Sequence, residues 1–230
     1  MKLNPISILR IAALLALLAG WPTRLPAAGG VDPVPSARAA SSARMLAALQ
    51  QALSATTNVQ TGFVQEKQMA VLRQKVIIKG QLAVQQPGLF AWHVTEPIRY
   101  NLVLDGATLR QWDEPTGKEQ QMSLADNPVF EIVSRQLKAW FGGQFDLLLK
   151  DFDAELDPAA PRSITFMPNK DSFARKAIRR VVMTFREDQR YMQEILIEEL
   201  GGDKTLMTFT NTFLNAAINP AAWEVKPHGR

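Results

Sequence analysis

The sequence predicts a mainly β protein carrying two helices, built on one large antiparallel sheet that curls strongly or closes. Three observations predict it. Short segments with period-two apolar alternation recur from about residue 59 to residue 213. The links between most of them are too short for a crossover helix, so neighbours pair antiparallel. Two segments with helical periodicity stand apart, one before the strands and one among them.

The chain opens with Lys2 and Arg10 around an apolar stretch, Ile11 to Ala19, followed by Gly20, Pro22 and small residues near Ala27-Ala28. That order of charged, apolar and small-residue regions is the pattern of an export signal, here expected over residues 1–28, with Ala37-Arg38-Ala39 as a second possible cleavage region. The apolar run is shorter than the roughly 20 residues a membrane-spanning helix needs. Residues 29–40, small and rich in proline, are expected to be flexible, and residues 41–230 to form the domain proper. Over Ser41–Ser54, Met45, Leu46, Leu49 and Leu53 recur at spacings of three and four, which predicts a helix with one apolar stripe.

Strands follow. Val59–Met69 carries Phe63. In Val76–Val84, Val76, Ile78, Leu82 and Val84 face one way, with Lys75, Lys79 and Gln81 facing the other. Gln85-Gln86-Pro87-Gly88 is a turn, after which Phe90, Trp92 and Val94 continue the apolar face. Ile98, Tyr100, Leu102 and Leu104 do the same opposite Arg99, Asn101 and Asp105; Asp105-Gly106 then marks a hairpin leading into Thr108–Trp112. Pro115-Thr116-Gly117 makes a further turn.

A second helix is expected from Asn127-Pro128 to Gly142-Gly143, cap and stop respectively, with Val129, Ile132, Val133, Leu137, Trp140 and Phe141 as its apolar stripe. Strands resume at Phe145–Phe152, Ser163–Met167, Ala177–Arg186, Tyr191–Glu199 and Lys204–Phe213. About ten strands form a sheet whose apolar face needs covering, and two helices are the cover available.

The chemistry-bearing inventory is thin. There is no cysteine, so no disulfide, thiolate metal site or acylated N-terminal cysteine is possible. Of the two histidines, His93 lies on the strand face opposite Trp92 and His228 in the C-terminal tail. Glu198 and Glu199 alternate across a strand, so they cannot share a face. No phosphate loop, metal-ligand spacing or nucleophile elbow occurs, and neither a cofactor nor a catalytic residue is expected. The net charge of +4 comes from 26 basic and 22 acidic residues; Lys2, Arg10 and Arg24 fall in the leader, leaving 23 against 22. That balance carries no nucleic-acid footprint. The informative residues are the strand aromatics Phe63, Phe90, Trp92, Tyr100, Phe166, Phe185 and Phe209. Periodicity alone leaves open a filled core or a lined cavity.

The stretch 63–115 contains Phe63-Val64-Gln65-Glu66-Lys67, Gly80 with Leu82, Pro87-Gly88-Leu89-Phe90-Ala91-Trp92-His93, and Leu104-Asp105-Gly106-Ala107-Thr108-Leu109. In order and spacing it resembles the LolA family of outer-membrane lipoprotein carriers, whose N-terminal half reads F-x-Q, G-x-L, P-x-x-F-x-W and D-G-x-x-L. Trp223-Glu224-Val225-Lys226-Pro227 resembles that family's final strand motif.

The resemblance implies an incomplete antiparallel barrel covered by helices. It implies a periplasmic, non-enzymatic carrier that takes an acylated lipoprotein or lipid from an inner-membrane exporter to an outer-membrane acceptor. Such a carrier needs no partner copy, so a monomer is expected. Lipid-binding residues would be Phe63, Val76, Ile78, Leu82, Phe90, Trp92, Tyr100 and Leu102 on the sheet. Val129, Ile132, Val133 and Leu137 would form the underside of a lid. The family carries an arginine before the proline of P-x-x-F-x-W, bonded to the lid; here Gln86 stands there as the latch candidate. An amide lacks the charge and five-donor fork of arginine, which implies a weaker latch. Relatives dedicated to lipid-biosynthesis clusters, such as those for aryl-polyene lipids, provide a second reading. A periplasmic sensor or scaffold on the same fold is a third, and an envelope-lipid enzyme with a paired acid and base a fourth.

Overall fold

A computed structural model describes residues 37–71, 74–123, 140–141, 144–156 and 159–226. Helix α1 (Ala37–Ser54) is followed by β1 (Asn58–Gln68), β2 (Lys75–Gln85), β3 (Leu89–Glu96), β4 (Tyr100–Asp105), β5 (Thr108–Asp113) and β6 (Glu119–Ser123). A short helix α2 (Phe145–Leu148) precedes β7 (Phe152–Leu156), β8 (Ser163–Pro168), β9 (Ile178–Phe185), β10 (Met192–Glu199) and β11 (Lys204–Leu214). Single 3₁₀ turns lie at Phe173–Lys176 and Pro220–Trp223.

All eleven strands belong to one antiparallel sheet in the order β6-β5-β4-β3-β2-β1-β11-β10-β9-β8-β7. The first and last strands of the chain's β run, β1 and β11, pair at the centre, with Phe63 opposite Phe209. Two meanders therefore fan outward from one long-range seam, and β6 and β7 remain open edges. The barrel is incomplete, as expected. The Asp105-Gly106 turn joins β4 to β5, with Gly106 at φ 56°, a conformation that suits glycine.

Burial along β1 alternates strictly, Val59, Thr61, Phe63 and Gln65 being buried. One face of the whole sheet carries a single apolar cluster. It runs from Leu104 and Leu109 on one wing, through Phe63 and Phe209, to Ile164 and Phe166 on the other. Leu46, Leu49 and Leu53 of α1 are buried in the same cluster at 4%, 1% and 4% exposure, and the helix lies beside β7.

Several expectations need correction. The helix starts at Ala37 rather than at the expected Ser41; an alanine-rich run favours this. Residues 145–148 form a helical turn and only Phe152–Leu156 is a strand, because Phe145 and Leu148 bury at a helical spacing of three. Strand β6 is an addition: its Glu-Gln-Gln-Met-Ser sequence shows little apolar alternation, as suits an edge. Residues 223–226 do not join the sheet. After the turn at Pro220–Trp223 the chain crosses the opposite, convex face, burying Val225 against Ala83, Ala91, Val103 and Trp112. Asn101, expected to face solvent, is 8% exposed beneath this strap and donates from Nδ2 to the Val225 carbonyl at 2.7 Å.

Surface pairing is concentrated on β10. Glu198 accepts from Arg180 Nε at 2.7 Å and pairs with Lys204 Nζ at 3.0 Å, while Glu199 accepts from Lys67 at 3.1 Å. The hydrogen bond from Arg180, then that from Lys204, holds the Glu198 carboxyl below its ordinary 4.5. A depressed carboxyl contributes stability above its unfolded value and loses it as pH falls through the folded value. Urea midpoints should therefore fall below about pH 4.5, and Glu198→Gln should flatten part of that fall. Val225→Asp, which places a charge among Ala91, Val103 and Trp112, should lower stability by about 3 kcal/mol in urea unfolding.

Candidate lipid-binding face

Six of the eight expected sheet residues meet on the concave face. Leu82 stands opposite Trp92, and Trp92 opposite Leu102; Val84 lies opposite Phe90 and Val94 opposite Tyr100. With Phe63, these side chains are buried, none above 9% exposure, except Val94, which is half-buried at the edge of the cluster. Ile78 is half-buried and packs on the same cluster. Val76 does not belong: it is 38% exposed, opposite Lys67 near the hairpin end of β1 and β2, where Ile77 is exposed too. Alternation assigns a face but does not say how far along a strand the cover reaches. Ile98 is likewise exposed, in the link between β3 and β4. Val129, Ile132, Val133 and Leu137 lie outside the described residues.

A glycine shapes the centre of this face. Gly80 stands opposite Phe63. A Cβ there would fall 2.5 Å from Phe63 Cζ and 2.1 Å from the His93 carbonyl oxygen. The missing side chain lets the Phe63 ring lie over β2 and reach Trp92 on β3, at 4.2 Å between centroids.

Two consecutive residues of helical backbone, Trp140 and Phe141, complete the cluster. Phe141 sits 5.7 Å from Phe90, 6.1 Å from Trp92 and 5.9 Å from Phe209. Trp140 meets Phe152 at 6.3 Å and Phe166 at 6.2 Å. One short segment thus touches β3 and β11 with one ring and β7 and β8 with the other. Both residues belong to the predicted helical stripe, but nothing in their spacing marked them as the members that plug the sheet. Among the described residues the expected lining is therefore a packed aromatic cluster. A void of about 10 Å³ beside Leu53, Thr56, Asn58, Val84, Gln86, Phe141 and Tyr191 is too small for a lipid chain.

Polar groups interrupt the face. The Tyr100 hydroxyl donates to Gln111 Oε1 at 3.1 Å, and Gln111 Nε2 donates to Gln120 Oε1 at 2.8 Å, a chain leading to the β6 edge. Burial, then the nearby Asp113 carboxylate, pushes the Tyr100 hydroxyl above its usual range, and burial does the same to Tyr191. Both phenols stay neutral. Among the described residues, Thr56 Oγ1, Asn58 Oδ1, Gln65 Nε2, Tyr191 OH and Thr205 Oγ1 are buried without a hydrogen-bond partner. The side chain of Gln86 is exposed; its backbone N–H donates to the Thr57 carbonyl at 2.8 Å. It borders the small void with Phe141, so the latch candidate stands next to the plug.

The convex face carries a feature the sequence did not reveal. A cavity of about 570 Å³ lies between the sheet and the strap, bordered by Gln60, Gln81, His93, Asn101, Asn219 and Glu224 among others. Strap carbonyls accept from sheet side chains: Ala217 from Gln60 at 3.0 Å and Trp223 from Arg110 at 3.0 Å. His93 Nε2 bonds to the Ala222 carbonyl at 2.8 Å, which gives this histidine a strap-fastening role. Among the described residues no cluster of three metal-ligating side chains occurs, and no helix is long and apolar enough to cross a membrane.

A sequence-family model described as outer membrane lipoprotein carrier protein LolA matches residues 54–226. The chain belongs to the LolA family. No curated protein matches it. Solved structures of similar fold include a LolA superfamily protein, NE2245, from Nitrosomonas europaea. It has 9% identity, covers 78% of this chain and 96% of its own, and gives a TM-score of 0.42. Lipoprotein LppX from Mycobacterium tuberculosis has 15% identity, covering 77% of this chain and 98% of its own, with a TM-score of 0.44. A complex of MucA and MucB from Pseudomonas aeruginosa shows 15% identity over 80% of this LolA-family chain and 60% of that one, with a TM-score of 0.46.

The tight approach at Gly80 gives a direct check on the face. Gly80→Ala must displace both the His93 carbonyl and the Phe63 ring, or shift β2 away from them. It should cost about 3 kcal/mol in urea unfolding and shift tryptophan emission as Phe63 leaves Trp92.

Proposed function

We propose that this protein is a periplasmic carrier that takes up the acyl chains of a lipoprotein or lipid on its concave face. It moves them from an inner-membrane exporter to an outer-membrane acceptor. It acts by binding, without catalysis, and as a single chain. The observation that supports this reading is the continuous apolar face, spanning both wings of an open sheet, whose centre is filled by rings from one separate segment. Membership of the LolA family is in keeping with it.

The energetics favour such an exchange. Exposure of an acyl chain costs about 0.8 kcal/mol per CH₂, on the order of 12 kcal/mol for roughly fifteen methylenes. A chain that replaces Phe141 against Phe90, Trp92 and Phe209 exchanges one apolar neighbour for another. The uptake therefore gains most of the chain's desolvation energy while giving up one plug. Because the empty carrier refills its own interior, release is not opposed by the full transfer energy. A binding site with an open greasy trough would hold its cargo more tightly and release it more slowly. Differential contact of ligand with the plugged and unplugged states supplies the drive for opening.

Native mass spectrometry of the protein purified from a bacterial periplasm should reveal bound acylated lipid, and a fluorescent fatty acid should be taken up with a change in Trp92 emission. Absence of both would sink the carrier reading. Phe141→Ala should lower stability by about 3 kcal/mol and speed fluorescent fatty-acid uptake several-fold, as measured by stopped-flow mixing. Uptake at the unaltered rate would show that Phe141 does not occupy the acyl position.

A further inference from the structure

Two of the buried polar atoms left without a partner, Gln65 Nε2 and Thr205 Oγ1, lie close together on the concave face. Gln65 and Thr205 are 2% and 1% exposed, and neither Gln65 Nε2 nor Thr205 Oγ1 has a hydrogen-bond partner. The register places both on the interior side of the seam. Gln65 stands opposite Met207, and Thr205 opposite Ile197, residues of the apolar cluster. Thr205 is two residues along β11 from Met207, so the two polar groups are diagonal neighbours across β1 and β11. The cation opposite Thr205 is already neutralised: Lys67 donates to Glu199 at 3.1 Å and lies 3.9 Å from Asp203.

A buried donor without an acceptor is costly, and native interiors rarely keep one without a reason. Gln65 Nε2 can only donate, and the threonine hydroxyl can donate alongside it. Two neighbouring donors beside a neutralised cation suit a neutral oxygen with two lone pairs, which is a carbonyl. A free carboxylate would bring an unpaired charge into an apolar interior and is disfavoured.

We infer that Gln65 and Thr205 form a carbonyl-recognition site within the concave face. It selects ligands in which the hydrocarbon is joined through an ester or amide, over plain or ether-linked chains. This inference rests on the carrier reading and deepens it by assigning the chemistry of the ligand's linkage. The bare interior keeps the donors orphaned, and a ligand carbonyl satisfies both on entry. That makes part of the binding energy conditional on the linkage and not on chain length.

The test compares a fluorescent 1,2-diacylglycerol with its 1,2-dialkyl ether of equal chain length, by direct titration of the full protein. The wild-type protein should bind the ester about tenfold more tightly than the ether. In Gln65→Leu with Thr205→Val the two affinities should converge, with ether binding retained or strengthened. The variant should stay close to the wild type in urea stability, because it removes two buried donors that have no partner. Equal binding of ester and ether by the wild type overturns the inference and leaves the carrier reading intact, with only a bound water at the site. A preference that persists in the variant overturns the assignment to these residues. Failure of both probes to bind overturns the carrier reading and this inference with it. The wild-type comparison stands even where the double variant fails to fold.

Discussion

The contacts of Trp140 and Phe141 hold the structure's logic together. An antiparallel sheet of eleven strands with two open edges has no intrinsic reason to stop at one curvature. Among the described residues the one long-range strand pairing is that of β1 with β11, and each wing is otherwise a local meander. A pair of adjacent rings, one set against Phe90, Trp92 and Phe209 and the other against Phe152 and Phe166, ties the two wings across the interior. Aromatic rings suit this task. Each buries a large area, and edge-to-face contacts tolerate a range of angles. The wings can therefore flex without losing the contacts, which a jigsaw of branched aliphatics would not permit.

The convex strap solves a different problem. A half-barrel whose inner face binds something must keep its outer face from doing the same. Ala83, Ala91, Val103 and Trp112 make the convex side of β2 to β5 apolar, which would be a liability if bare. The C-terminal segment covers it, and sheet side chains fasten the strap by its backbone carbonyls rather than by its side chains. The strap's path is thereby held by its backbone, while Val225 supplies the apolar contact that seals the face. The small residues Ala83 and Ala91 leave room for the chain to lie close.

Much of the architecture is legible in the sequence because period-two alternation is a direct imprint of a half-buried sheet. The strands from β1 to β5 and from β8 to β11 fall within a residue or two of their expected bounds. The failures have physical causes. Val76 alternates correctly yet is exposed, since alternation is blind to where cover ends. The Phe145–Leu148 turn reads as a strand because four residues cannot show a period. Asn101 is placed toward solvent by one-sided alternation, and a segment more than a hundred residues away covers that face as well. The candidate site divides the same way. Phe63, Phe90 and Trp92 could be placed on one face from sequence, but their packing against Phe141 is a tertiary fact. Gln65 belongs to the F-x-Q pattern, yet its lack of a partner is visible only once every neighbour is in place.

The position of the unsatisfied donors carries a functional argument of its own. Polar groups at the rim of an apolar site are hydrated when it is empty, and a ligand that bonds to them gains little beyond what water supplied. Gln65 and Thr205 are not at the rim; they lie between the aromatic centre and the Lys67 ion cluster, sealed from solvent in the closed protein. Their desolvation is therefore met during folding and not during binding. Such preorganisation converts a modest hydrogen bond into a larger share of selectivity, because the competing state offers the donors nothing. The same reasoning explains why Tyr100 differs from them. Its hydroxyl is satisfied through Gln111 and Gln120 toward the β6 edge, so it contributes shape and apolar area to the face but leaves no bond for a ligand to complete.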